Sequence, residues 1–181
     1  GMDRRQENPT ISQEQRQKPD RRELLVNMED IIARYSKIPL FKNFTSKQMG
    51  KILRICSKKK IPNNYNIYRV GQESKDMYIL LKGLIKVLLS DGQVWSKVAP
   101  FGAIGETRLF NYEYISGDII AGTECIVLQI TKQELFRIFE TDKDLYNKML
   151  LNIIGNLAEK LKNDHDEMIT LNYRIESLDT I

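Results

Sequence analysis

The sequence predicts a mainly β fold with flanking helices, in which short strands form a roll, sandwich or barrel. Two observations lead to this prediction. Between Lys58 and Ile130, short runs of β-branched and aromatic residues are separated by closely spaced Gly, Asp and Ser turn signals. Before and after this region, apolar residues recur instead at the spacing of amphipathic helices.

The composition is typical of a globular protein with one domain of ordinary size and extensions. Of the 181 residues, 41% are hydrophobic and 29% are charged. No apolar run approaches the roughly 20 residues of a membrane helix, and the polar N-terminus has no signal-peptide pattern. The net charge of +4 is mild and does not by itself indicate nucleic acid. We therefore expect neither a membrane nor a nucleic acid as a partner.

Chemically reactive residues are few. Cys56 and Cys125 both lie among apolar residues, so we expect buried thiols in a reducing compartment, the cytoplasm, rather than a disulfide. The single histidine, His165, is flanked by Asp164 and Asp166, but adjacent positions on a helix do not face one another. With no Cys–His cluster and no nucleophile beside a base, we expect no enzyme, no metal and no cofactor.

The N-terminal region is predicted to be a polar tail followed by two helices. Residues 1–20 are almost without apolar side chains and are predicted to be disordered. Residues 21–37 form the first predicted helix, and Thr45 with Gln48 has the form of a capping box that begins the second. The three lysines of residues 58–60 are predicted to protect the edge of a sheet.

The strands are predicted from alternation and turn signals. Ser90-Asp91-Gly92 is a strong hairpin signal, and the strand that follows it carries Trp95, the only tryptophan. The predicted strands cover residues 65–70, 77–81, 84–89, 94–98, 119–121 and 126–130.

A short helix after Thr131 and one long helix from Asp142 are predicted to follow the strands. The long helix has apolar residues at a 4-3-4-3 spacing that is broken only at Asp164, and this spacing is typical of a parallel two-stranded coiled coil. The alternative is that this face packs on the β region. A helix of this length extends beyond a small domain, which favours a homodimer. We call these residues the seam: Leu150, Ile154, Leu157, Leu161, Met168, Leu171, Ile175 and Leu178.

The stretch from Pro100 to Thr123 is the candidate binding site. Its glycines, Gly102 and Gly105, allow backbone N–H groups to approach a ligand closely, and successive N–H groups form an anion cradle. Because Glu106 would repel a phosphate, we expect its carboxylate to accept hydrogen bonds from sugar hydroxyls. This predicts a sugar-phosphate pocket between two strands. The alternative is a turn glycine followed by a solvated carboxylate.

These residues also carry a resemblance to a known family. Residues 38–139 resemble the cyclic nucleotide-binding domain of bacterial catabolite activator proteins, protein kinase regulatory subunits and gated channels. The resemblance implies a jelly-roll-like double-stranded β-roll over residues 38–140 and a long dimerisation helix over residues 141–181. The residues that carry it are Ile38-Pro39-Leu40-Phe41, Gly71, Asp76, Tyr78, Ile79, Gly83, Val87, Gly102, Gly105, Glu106, Thr123, Cys125, Leu128 and the segment 132–136.

The resemblance implies a non-enzymatic regulatory module that binds cyclic AMP or cyclic GMP. The ribose 2′-hydroxyl would bond to Glu106, the phosphate would meet backbone N–H groups near Thr107 and Arg108, and the long helix would close over the base. The ligand-binding residues carried over in this way are Ile104, Gly105, Glu106, Thr107, Arg108, Ile115 and Ser116.

The sequence departs from the family at the phosphate. The family places an arginine where this chain has Ile115, and the loss of such a charge-assisted contact costs about 1.5–3 kcal/mol. Ser116 remains as a phosphate donor, Asp118 adds an acidic group nearby, and Ala103 replaces the usual aspartate. The Arg108 guanidinium replaces the missing positive charge only if it points into the pocket.

The departure leaves a second interpretation open, a degenerate fold that serves as a dimerisation or protein-interaction module with a partner protein. A third interpretation, a transcription factor, fits poorly, because the sequence leaves no room for a helix-turn-helix domain after the long helix.

Overall fold

A computed structural model shows two four-stranded antiparallel sheets, with helices before and after the strands in the chain. The predicted β-roll with flanking helices is confirmed. The structure describes residues 21–110, 115 and 117–179, so the predicted disordered tail lies outside the described residues. The helices are α1 (Arg21–Tyr35), α2 (Ser46–Ile55), α3 (Lys132–Thr141) and α4 (Lys143–Asp179). The strands are β1 (Ser57–Ile61), β2 (Asn66–Tyr68), β3 (Asp76–Lys82), β4 (Ile85–Leu88), β5 (Val94–Val98), β6 (Ala103–Ile104), β7 (Ile119–Ala121) and β8 (Cys125–Thr131).

The strand order is that of a roll rather than a simple meander. One sheet has the order β1-β8-β3-β6 and the other has the order β2-β7-β4-β5. The lysines of β1 are exposed, and β1 lies at the edge of its sheet beside β8, as the sequence predicted. The sequence did not predict β6, because a strand of two residues carries no alternation and pairs with β3 only through Tyr78 and Ile79.

Two apolar clusters hold the layers together. One lies between the two sheets, where Leu80, Ile85 and Val127 are completely buried. The other lies between the first sheet and the helices, and it includes Met49 of α2 and Leu135 of α3. Cys125 is buried in the first cluster and Cys56 is half-buried, and both are free thiols. Burial raises the pKa of Cys56 to about 12, so its thiol stays protonated at neutral pH.

Local side-chain caps define where the helices begin. The Thr45 hydroxyl accepts a hydrogen bond from the Gln48 backbone N–H at 3.2 Å, and the Gln48 side chain accepts one from the Thr45 N–H at 3.0 Å. The predicted capping box is therefore confirmed. Thr131 caps α3 in the same way, by accepting from the Glu134 N–H at 3.3 Å.

The first turns of α4 are anchored to the rest of the domain. Asp142 accepts from the Leu145 N–H at 3.0 Å and forms an ion pair with Lys51 of α2 at 2.6 Å. The hydrogen bond from Lys51, followed by that from Leu145, lowers the pKa of Asp142. Further along, the Asn152 side chain donates to the carbonyl oxygens of Leu40 and Lys42, each at 2.9 Å. These contacts fix the direction in which α4 leaves the roll.

Candidate functional site

A cavity of about 450 Å³ lies between the second sheet, the segment after β6 and α4. The strands supply apolar residues to its wall, among them Val87 and Val98, together with the charged Lys97. Charged side chains lie on the α4 side, where Lys160 and Asp164 contribute to the wall. Trp95 of β5 also lines the cavity. This mixture of an apolar wall with a few polar groups is typical of small-molecule sites.

The predicted ligand-binding residues are brought together at this cavity. Ser116 lies outside the described residues. The six others all lie in the wall: Ile104, Gly105, Glu106, Thr107, Arg108 and Ile115.

Gly105 shapes the back of the cavity because no other residue fits there. Its φ angle is +84°, and a Cβ atom would lie 2.9 Å from the Asp76 carbonyl oxygen and 3.2 Å from the Ser74 hydroxyl. Asp76 is itself held in place by Tyr68, whose hydroxyl donates to the Asp76 carbonyl at 3.0 Å and accepts from the Asp76 N–H at 3.1 Å. The short 3-10 helix Thr107–Leu109 follows directly.

Glu106 is a buried carboxylate in the cavity wall, not a solvated one. Its side chain is only 7% exposed, and Lys160 of α4 donates to its Oε1 atom at 3.1 Å. The alternative of a turn glycine with a solvated carboxylate is therefore wrong. A buried carboxylate requires hydrogen-bond donors, so this position is suited to accept from whatever occupies the cavity.

The floor of the cavity is apolar where the family has its arginine. Ile115 is 2% exposed and packs in the cluster between the sheets with Ile104 and Ile119. Its backbone is fixed by hydrogen bonds with Gln72 and Gly71, at 3.1 and 2.8 Å. The side chain at this position therefore belongs to the core and supplies no positive charge to a ligand.

Asp118 does not lie where the sequence analysis expected an adverse acidic group. Its carboxylate accepts a hydrogen bond from the Val70 backbone N–H at 2.8 Å and is not part of the cavity wall. Gly117, beside it, is required by close packing, because a Cβ atom there would lie 2.0 Å from the Leu88 carbonyl oxygen. This turn is thus a structural connection between strands.

Arg108 is half-buried and lies in the wall of the cavity. It also lines a neighbouring cavity of about 470 Å³ at the start of α3. There Lys132 donates to the Arg108 carbonyl oxygen at 2.8 Å. Burial, followed by the proximity of Arg108, lowers the pKa of Lys132. Lys97 and Lys160 add two further cations to the wall of the 450 Å³ cavity.

The sequence motifs did not predict that α4 and β5 contribute residues to the cavity wall. Lys160, Asp164, Trp95 and Lys97 all line it, although they lie far from the glycine segment in sequence. One signal was present. Asp164 is the single interruption of the seam, and the structure places it at the cavity, where a carboxylate is compatible with solvent and ligand.

The fold is a β-roll with a cavity beside the segment after β6. The family model described as the cyclic nucleotide-binding domain matches residues 58–142. This match over residues 58–142 agrees with the resemblance in the sequence. No curated protein matches the chain. Among the described residues, those after 142 form α4 and no DNA-binding domain.

Solved structures share the fold at low sequence identity. A cyclic nucleotide-binding domain from Methylobacillus flagellatus superposes with a TM-score of 0.68 at 19% identity, covering 80% of this chain and 83% of that one. The catabolite activator protein of Thermus thermophilus gives 0.59 at 17%, covering 74% and 63%. The regulatory subunit of a cAMP-independent protein kinase A from Trypanosoma brucei gives 0.61 at 18%, covering 75% and 47%.

The part of the chain that the structure describes contains neither a membrane-spanning helix nor a metal-binding cluster. No helix there has the length and apolarity needed to span a membrane. No group of three or more His, Cys, Asp or Glu side chains is arranged there to hold a metal ion, and His165 is exposed on α4.

Proposed function

We propose that this protein is a non-enzymatic, cytoplasmic regulatory module that binds a cyclic nucleotide in the 450 Å³ cavity and signals through α4. The observation that carries the proposal is the buried Glu106 carboxylate in the wall of a cavity that also contains the glycine segment. The volume lies within the range of about 300–1,000 Å³ that is usual for small-molecule sites.

The chemistry of the wall suits a sugar phosphate. Glu106 accepts hydrogen bonds from ribose hydroxyls, while the backbone N–H groups of Thr107 and Arg108 face the phosphate. Because Ile115 supplies no charge, the countercharge comes from Arg108 and Lys97, which line the same cavity. Since no positive charge lies at the position of Ile115 itself, we expect weaker binding than in relatives that keep the arginine.

Signalling follows from the two roles of α4. Its Lys160 and Asp164 lie in the cavity wall, while the seam residues beyond Ile153 are exposed along the same helix. We infer that the seam pairs with that of a second copy to form a parallel homodimer. A ligand that contacts α4 differently in two arrangements of the helix then shifts the dimer between them.

A second candidate function is a degenerate roll that retains the dimer but no longer binds a nucleotide. The burial of Ile115 in the core and the contact of Lys160 with Glu106 favour it. One structural neighbour is described as cAMP-independent, so the fold is compatible with this function as well. In this case α4 and the outer surface serve a partner protein.

Titration calorimetry with cyclic AMP and cyclic GMP separates the two functions. The sensor predicts binding by the wild type and a loss of about 10–100-fold in affinity for Glu106→Ala. Glu124→Ala is the matched control, since Glu124 is exposed and forms a surface ion pair with Lys60. Equal binding by Glu106→Ala and the control would exclude the proposed role of Glu106.

Ile115→Arg tests the degenerate function directly. We expect the variant to melt at a lower temperature without ligand, because a guanidinium then lies in an apolar cluster. Cyclic AMP should restore the melting temperature by pairing its phosphate with the new arginine. If the wild type binds neither nucleotide and this variant binds one, the degenerate function is correct. Ile115→Met is the control for a change of side-chain shape.

A further inference from the structure

The ion pair between Lys160 and Glu106 is asymmetric. The Glu106 side chain is 7% exposed, whereas that of Lys160 is 60% exposed, and 3.1 Å separates Nζ from Oε1. The pair joins α4 to the segment after β6, across the cavity that both residues line. It lies past Ile153, the last residue of α4 in the buried core cluster. Lys160 therefore ties down a part of the helix that packing alone holds weakly.

We propose that this ion pair is a latch that holds α4 across the cavity and is exchanged when a ligand binds. In the closed state the Lys160 ammonium occupies the acceptor that a ligand hydroxyl requires. A ligand that donates to Glu106 displaces the ammonium, and α4 from about residue 154 onward then contacts the bound ligand instead of the Glu106 carboxylate. The inference rests on the proposed function, because the displacing group is a hydroxyl of the cavity ligand.

The exchange of Lys160 for a ligand hydroxyl has a low free-energy cost because Glu106 is buried and Lys160 is exposed. Glu106 is buried and cannot lose its donor to water at low cost, so it holds Lys160 until another donor replaces it. Lys160 is largely exposed and regains hydration as soon as it is released. Asp164 lies four residues further along α4, the spacing at which helical side chains are neighbours, and it lines the same cavity. The released ammonium therefore has a second carboxylate within reach.

Hydrogen exchange in the ligand-free protein tests whether the latch holds the helix. In Lys160→Met we expect the backbone amides of residues 157–164 to exchange roughly three- to tenfold faster than in the wild type. Lys160→Arg, which keeps the charge, should stay close to the wild type. Lys162→Met is the matched control, since Lys162 is exposed on the same helix and is not part of the cavity wall. Unchanged exchange in Lys160→Met would overturn the latch.

Titration of the same proteins with cyclic AMP and with adenosine tests the exchange. Both carry ribose hydroxyls, but only cyclic AMP is charged, so both should bind Lys160→Met roughly three- to tenfold more tightly than the wild type. Weaker binding of cyclic AMP by Lys160→Met would overturn the latch, because Lys160 would then hold the phosphate. If neither ligand binds any of the proteins while exchange is faster in Lys160→Met, the proposed function fails and the closing contact stands.

Discussion

Two stripes of apolar side chains run along α4, and they differ in burial. Leu145, Met149 and Ile153 are buried against the roll. The first two seam residues each follow a buried residue by one, since Leu150 follows Met149 and Ile154 follows Ile153. Because one residue rotates the helix by about 100°, the seam points away from the roll. The comparison teaches that an apolar stripe is not evidence of a core until the surface that covers it is known.

The two stripes also diverge in chemistry along the helix. Past Ile153 the side of α4 beside the cavity is polar, with Lys160 and with Asp164, the position that interrupts the seam. The seam remains apolar and exposed as far as Leu178. The polar change marks where α4 passes a site that needs charged groups. The persistent apolar residues mark a surface that we infer a second copy covers.

Removing the seam while keeping the roll-facing stripe should have the largest effect of these changes, the loss of the dimer. A chain that ends after Asn156 retains the buried residues of α4 and loses the seam from Leu157 onward. We expect the full chain to sediment as a dimer and the shortened chain as a monomer, because the apolar contacts of the pair are gone. A shortened chain that still sediments as a dimer would place the dimer interface on the roll. It would contradict the assignment of dimerisation to the seam.

Single truncations in the two stripes should differ in what they destabilise. Met149 is 0% exposed and Leu161 is 69% exposed. Met149→Ala should lower the free energy of unfolding by about 2–5 kcal/mol, because it leaves a cavity in the core. Leu161→Ala should leave the unfolding of the monomer within about 0.5 kcal/mol and weaken dimerisation instead. Urea denaturation at low protein concentration, together with sedimentation, measures both. Equal loss of monomer stability would mean that the roll covers both stripes.

The anchor at the start of α4 should give the smallest effect, and it should depend on pH. The hydrogen bond from Lys51 and the one from Leu145 lower the pKa of Asp142 in the folded state. Its stabilisation is therefore complete above the usual aspartate pKa of about 4 and is lost as the pH falls through the lowered folded value.

Asp142→Asn keeps an oxygen that can cap the helix but removes the charge, and Asp142→Ala removes both. We expect Asp142→Ala to cost about 0.5–2 kcal/mol at neutral pH and Asp142→Asn to cost less. In urea denaturation, the difference between the wild type and Asp142→Asn should shrink on acidification. A difference that stays constant with pH would mean that the Lys51 pair contributes nothing to stability.

Much of the architecture was predictable because it depends on local rules. The capping box at Thr45, the hairpin at residues 90–92 and the apolar run of β3 each depend on a few neighbouring residues. The glycine segment was recognisable for the same reason, since Gly105 needs a positive φ that other residues avoid. By contrast, β6 is too short to carry a pattern of its own.

The sequence by itself determined the class of fold, the location of the candidate site and the apolar seam of α4. Only the tertiary structure decided that Glu106 is buried, that Ile115 belongs to the core and that Lys160 reaches across the cavity. The physical reason is the separation of the partners along the chain. Lys160 and Glu106 are 54 residues apart, and no local pattern encodes a contact that depends on how α4 leaves the roll.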